Sequence, residues 1–278
     1  MNGYEWNIIL QIGLIYGIVA IGIFLSFRVL NFADMTCDGA FTLGGCLAAV
    51  GIKLGLSVPM ALIFAFLGGG VAGWATACLH NYCKITDILA GILVAFMLYS
   101  LNLRIMGGVP NVTLHVDGGC GKILTSVGTG VILVIGYLLI SDFGLALRGL
   151  GQNRHLSQSY GIRTAKTIAT GLALSNGLIA LGGSFFALTQ NFCDIGSGIG
   201  TLVIGLASMV IGEKILPFRS PAVAVAACVV GSIVYRLIIG FALHCDVLSL
   251  RSSDLNLITG LLIIAFMTTR GRQKRCFP

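Results

Sequence analysis

Charge is what this chain has least of. Only 10% of its 278 residues are charged, where a soluble domain carries roughly 25%. Too few ionic side chains are present to cover a water-facing surface of this size, which excludes an ordinary soluble domain. Strand-like alternation is also missing. The apolar stretches are continuous and approach or exceed the roughly 20 residues that cross a hydrocarbon core of about 30 Å. A transmembrane barrel would instead show alternating segments of about ten residues. The fold class is therefore all-α: a polytopic integral membrane protein.

Reactive constellations are missing as well. The four histidines, His80, His115, His155 and His244, are scattered, with no H-E-x-x-H pair and no G-x-S-x-G elbow. The nine cysteines contain no C-x-x-C pair, and most sit in apolar context, where a free thiol acts as a small hydrophobe. A disulfide among Cys120, Cys193 and Cys245 is an open alternative that spacing alone does not establish. GGCGKIL at 118–124 resembles a phosphate loop but lacks its first glycine and the hydroxyl residue after the lysine. No enzyme, resident metal or cofactor follows from these residues. If ATP drives this protein, another polypeptide binds it.

What is present is a succession of apolar segments. Nine are marked, at about 8–27, 37–52, 57–79, 86–106, 122–141, 164–189, 197–215, 221–241 and 254–270, within an expected count of 8–10 transmembrane helices. The net charge of +7 does not point to nucleic acid, because the basic residues lie between the spans or in the tail RGRQK (270–274). Placing that tail in the cytoplasm puts twelve of the seventeen Lys and Arg residues on one side, in accord with the positive-inside rule. The N-terminus then lies outside. The first run, from Ile8, has no basic region before it and reads as a retained span. Segment 37–52 is the weak point, since it is short and follows polar residues; a re-entrant or broken element would change the count by one. Glycine is abundant, at 39 residues, and its clusters (Gly68 to Gly70, Gly182-Gly183) predict close helix packing, with flexing at Gly182-Gly183 as the sharper alternative. Residues 1–278 read as a single transmembrane domain.

Three polar stretches interrupt this pattern. In LRGLGQNRHLSQSYGIRTAK (147–166), Asn153 is placed to cap about two helical turns, and Gly161 suits the C′ position that follows them. Leu156 and Tyr160 are four apart and share a face, while Arg154, His155, Gln158 and Ser159 spread polar groups over the rest. An amphipathic surface helix results, within a loop at 148–163. Two readings stand, an ordinary solvated loop and a contact surface. In RVLNFADMTCDG, Asn31, Asp34, Thr36 and Asp38 crowd polar groups between apolar runs. They suit a broken-helix element beside a pathway or a simple turn that caps the next helix. Asn102 and Arg104 near the outer end of a span suit contact with a substrate carboxylate, although Arg104 better suits snorkelling to the interface. Glu213 and Lys214 at a span end suit a local pair or a contact with the 147–166 loop.

The run ALRGLGQNRHLSQSYGIRTAK resembles the coupling-loop segment of ATP-binding-cassette (ABC) transporter permeases related to the branched-chain amino-acid and ribose importers. FLSFRVLNFADMTCDGAFTLGG at 24–45 is similar to a segment of a narrower group associated with tryptophan/tyrosine importers. ILAGILVAFMLYSLNLRIMGGVPN at 88–111 and GIGTLVIGLASMVIGEKI at 198–215 fit the same group. Four separated motifs cover nearly the whole chain. The resemblance implies that Asn153, Arg154, His155, Leu156, Tyr160 and Gly161 form the helix that docks on a cytoplasmic ABC ATPase. Where many relatives have proline or glutamate near the helix start, this chain has Arg154 and His155, which suggests an acidic rim on the partner. It further implies a second permease copy (a homodimer), two ATPase subunits holding ATP and Mg, and an extracytoplasmic solute-binding protein. The place is the bacterial inner membrane, and the cargo a small polar solute, most simply an amino acid and by the narrower group an aromatic one. An ion-coupled secondary transporter or a channel-like protein is the rival reading.

Overall fold

Away from water every backbone polar group needs an internal partner, and an α-helix supplies one within its own segment. The apolar runs accordingly fold as helices. A computed structural model describes residues 3–114, 120–217 and 220–244, together with Gly260 and Ile264. Helix α1 (Gly3–Ile23) passes into a π-helical turn (Phe24–Val29), followed by α2 (Cys37–Lys53), α3 (Val58–Cys83), α4 (Asp87–Ile105) and α5 (Cys120–Ile140). Two short helices come next, α6 (Asp142–Gln152) and α7 (Arg154–Ser159). They are followed by α8 (Thr164–Gln190), α9 (Thr201–Ile215) and α10 (Pro221–His244). Strand β1 (Asn111–Thr113) pairs antiparallel with β2 (Phe192–Asp194), with Val112 opposite Cys193.

Helix α8 is the axis of the bundle, with 78% of its apolar window buried. Its small residues allow that. A Cβ on Gly183 would overlap the Phe41 carbonyl of α2, and one on Gly182 would overlap Val19 of α1. On another side of α8, Gly69 and Gly73 of α3 sit against the Asn176 and Leu172 carbonyls. In an apolar solvent such close backbone approach supplies the packing that hydrophobic burial supplies in water. The two ends of the bundle differ. One carries Arg28, His80, Asp87, Arg154 and Glu213 (the basic end), and the other carries the β1–β2 pair (the hairpin end).

The structure bears on the sequence reading in three places. First, among the described residues six of the nine expected segments form helices long and apolar enough to cross a membrane. Helices α2 and α9 have 17 and 15 residues, because each is preceded by an irregular segment (30–36 and 195–200) that already lies within the bundle. Segment 254–270 and the basic tail lie outside the described residues, apart from Gly260 and Ile264. Second, the loop at 147–166 is largely helical. Helix α6 runs straight into α7 through Asn153, and a Cβ on Gly151 would overlap the Val29 carbonyl. Third, Glu213 has a partner far from it in sequence. It meets Arg28 of the π-helical turn at 2.6 Å.

Candidate functional site

Three polar clusters emerge from the predicted residues. The first is the break at 30–36. The π-helical turn ends at Leu30, and Asn31 takes a left-handed backbone, φ 52°, which asparagine tolerates better than most residues. The chain then turns back into the bundle. Asp34 and Thr36 are fully buried. One Asp34 oxygen accepts from the Thr36 N–H at 2.8 Å and the other from Asn176 Nδ2 at 2.6 Å. Thr36 Oγ1 lies 2.7 Å from Thr76 Oγ1. Asp34 and Thr36 thus tie α2 to α8 and α3. They do not share an environment with Asn31, which is exposed and lines a cavity that neither of them reaches.

The second cluster lies on the far side of the first turn of α2. Asp38 reaches the start of α9, where its two oxygens accept from Gly200 N at 3.1 Å and Leu202 N at 2.9 Å. A carboxylate there satisfies orphan N–H groups and faces the positive end of the helix. Gly198 is required beside it, because a Cβ there would overlap the Asp38 carbonyl. Between α2 and α4 opens a cavity of about 480 Å³, lined by Asp38, Thr42, Phe96, Tyr99, Asn102 and Ile199 among others. Residues 92, 95, 96, 99 and 102 share one face of α4, as spacings of three and four require. Asn102 is 1% exposed; its Nδ2 donates to the Gly39 carbonyl at 3.3 Å, and its Oδ1 is buried without a partner. Arg104, two residues on, is exposed and absent from this lining. The structure therefore does not bring Asn102 and Arg104 to one place: residues two apart on a helix point to different sides.

The third cluster is at the basic end. Asn153 is the common joint of α6 and α7, and its side chain accepts from Leu156 N at 3.1 Å. Gly161 has φ 81°, the left-handed geometry that ends the helix. Leu156 and Tyr160 are 55% and 79% exposed, so the apolar side of α7 faces outward, and His155 is exposed too. Arg154 turns inward. Its guanidinium is 3.2 Å from His80 Nε2 and 3.7 Å from Asp87. His80 Nδ1 lies 2.9 Å from the Ile85 carbonyl and 3.0 Å from Asp87, so a ring protonated on Nδ1 satisfies all three contacts. Phe32, within the break, packs edge-on against His80 at 5.2 Å. A second cavity, of about 560 Å³, opens here between Asn31, Phe32, His80, Lys84 and Asp87.

With this geometry in place, likeness to known proteins decides the family. Residues 7–267 match the family described as branched-chain amino acid transport system / permease component. The chain belongs to that family. It is 38% identical to a tyrosine transport system permease protein of Clostridioides difficile (strain R20291), over 92% of this chain and 88% of that one. An uncharacterised protein of Rickettsia prowazekii (strain Madrid E) is 31% identical over 91% of this chain and 93% of its own length. More distantly, the autoinducer 2 import system permease protein LsrC of Salmonella paratyphi B is 26% identical over 62% of this chain and 53% of its own. Among solved structures, PsaBC from Streptococcus pneumoniae in complex with Fab aligns over 83% of this chain and 88% of that one. The identity is 15% and the TM-score 0.41, too distant to bear on this chain.

The permease is thus a multi-pass membrane protein and the permease component of a transport system. Several of its polar contacts were not singled out from the sequence. Sequence reading took His80 only as one of four scattered histidines; the fold joins it, with Asp87, to Arg154. Arg236 was counted merely among the basic residues away from the cytoplasmic set. It lies inside α10 with its guanidinium 4.4 Å from the centre of the Tyr16 ring, and its Nε is buried without a hydrogen-bond partner. An arginine inside a 24-residue apolar helix is the signal that would have found it.

Proposed function

We propose that this permease is the transmembrane subunit of a bacterial ABC importer for an aromatic amino acid, with tyrosine the first candidate. The observation that carries this reading is the 38% identity to a tyrosine transport permease across nearly the full length of both chains. Helix α7 supports the ATP-driven part. It is a capped, outward-facing helix on the basic end with Leu156 and Tyr160 exposed, a surface suited to a cytoplasmic ATPase. Residues 148–163 are the coupling loop in this reading, with Asn153, Arg154, His155, Leu156, Tyr160 and Gly161 as its working residues, and 1–278 form one transmembrane domain.

The assembly has two copies of this chain, two ATPase subunits and an extracytoplasmic solute-binding protein. ATP and Mg are held by the ATPases, and this chain carries no covalent step. The basic end and the C-terminus face the cytoplasm of a cell whose inner membrane holds the protein, and the N-terminus faces outward. Helices α2 and α9, each begun within the bundle, and the segment at 254–270 bring the crossings to nine. Transport is by alternating access. The ATPase pair must interact differently with the two permease conformations, since a partner with equal affinity for both shifts nothing.

Reconstitution in proteoliposomes with the ATPase and binding protein tests the reading. Labelled tyrosine should accumulate only when ATP is present on the ATPase side. Uptake that follows an ion gradient and survives ATP depletion would overturn it, as would failure of any ABC ATPase to associate.

A further inference from the structure

The cavity between α2 and α4 has a one-sided polar chemistry. Its polar lining side chains are Asp38, Thr42, Tyr99 and Asn102, and among the described residues no lysine, arginine or histidine lines it. Asp38 spends one hydrogen bond per oxygen on the start of α9, whereas a carboxylate offers about four lone-pair sites. Asn102 spends its Nδ2 on Gly39, and its buried Oδ1 has no donor. A buried acceptor left unpaired is costly and calls for a donor. On the same face of α4 as Asn102 stand the rings of Phe96 and Tyr99, both more than half exposed. Aromatic faces pack against other rings and attract cations. The site thus offers acceptors and ring surface, and no positive charge to hold an anion.

We propose that this cavity binds the ammonium end of an aromatic amine or amino acid, with Asp38 and Asn102 Oδ1 as its acceptors and Phe96 and Tyr99 as its ring wall. The identity of the natural ligand rests on the import reading above; the chemistry of the site does not. The amine is the recognised group, and a ligand carboxylate stays toward the open side of the cavity. Asp38 also joins ligand binding to the fold, because the carboxylate that takes the ammonium is the one that holds the N-terminus of α9.

Three probes separate the ends of the ligand: tyrosine; tyramine, which keeps ring and ammonium; and 3-(4-hydroxyphenyl)propionate, which keeps ring and carboxylate. Thermal melting of the purified permease in detergent is followed against millimolar titrations of each. Tyrosine and tyramine should raise Tm and the propionate should not. Asn102→Leu should raise the half-saturating concentration of tyramine by about tenfold or more, about 1.4 kcal/mol of binding. Asp38→Asn keeps an acceptor for α9 and removes the charge, and should do the same. If Asp38→Asn does not fold, Tyr99→Leu at the open side tests the wall independently. A response to the propionate in place of tyramine, no response to any probe, or an unchanged titration of Asn102→Leu would each overturn the site. Tyramine binding without ATP-dependent tyrosine uptake would leave the site standing and remove the import reading.

Discussion

Asp34 shows how one residue sets the interior. It is fully buried beside the break, and its nearest partner is an amide 142 positions away, Asn176 Nδ2 at 2.6 Å. That amide also donates to Leu172 O at 3.1 Å, within its own helix. Asn176→Ala removes the donor to Asp34 and leaves one of its oxygens unmatched, for which hydrogen bonds to charged groups suggest a cost of about 1.5–3 kcal/mol. The expected outcome is a lowered melting temperature in detergent, whereas Asn176→Gln, if its longer arm still reaches, recovers part of it. The sequence exposed only half of this pair. Asp34 stood out as a polar residue among apolar ones, whereas Asn176 sits in ALSNGLIAL and looks like any small polar residue in a membrane helix. Nothing local in the chain announces a contact between two positions so far apart. Asn102 and Arg104 illustrate the converse: adjacency in sequence suggested a shared role, and helical geometry sent them to different sides.

At the scale of elements, α6 and α7 form two short helices joined at Asn153 on the basic end. α7 meets the bundle through Arg154 on one side and offers Leu156 and Tyr160 on the other. These two faces predict separable defects. Leu156→Glu or Tyr160→Ala should weaken co-purification of the ATPase, because they alter the outward surface. Arg154→Glu places like charge beside Asp87 and should leave co-purification largely intact while lowering ATP-dependent uptake severalfold. Equal loss of ATPase binding in both kinds of variant would sink the distinction. Asn153→Ala removes the α7 cap, worth about 1 kcal/mol, and should reduce association without abolishing folding. The cap and the Gly161 terminator were legible because both act over one helical turn. The inward grip of Arg154 was not, since His80 and Asp87 come from the α3–α4 corner. Element boundaries followed the same logic. The end at Lys53 lies one residue beyond the expected segment, but the start of α9 moved from 197 to Thr201. The polar and glycine-rich GSGIG run folds as a separate segment tied to Asp38, a contact invisible to hydropathy.

The whole molecule is organised by its two unlike ends, and their assignment to sides of a membrane is open to direct test. Long apolar helices carry no direction of their own; the direction comes from where the basic residues gather. In the structure the basic end collects Arg28, His80 and Arg154 with their acidic partners, while the β1–β2 pair closes the opposite end. Lys53 ends α2 at the hairpin side, and Cys83, exposed, ends α3 at the basic side. One residue of each kind is therefore available as a reporter. In cells carrying a variant whose other cysteines are replaced, a membrane-impermeant maleimide should label Lys53→Cys without permeabilisation. Cys83 should react only after permeabilisation. The reverse pattern would invert the assignment and put α7 outside the cell, where no ATPase could reach it. Labelling of both positions in intact cells would instead mean that α3 does not cross the membrane. Because α3 lies antiparallel to α8 along most of its length, that result would undo the packing about Gly69, Gly73 and Asn176 as well as the orientation.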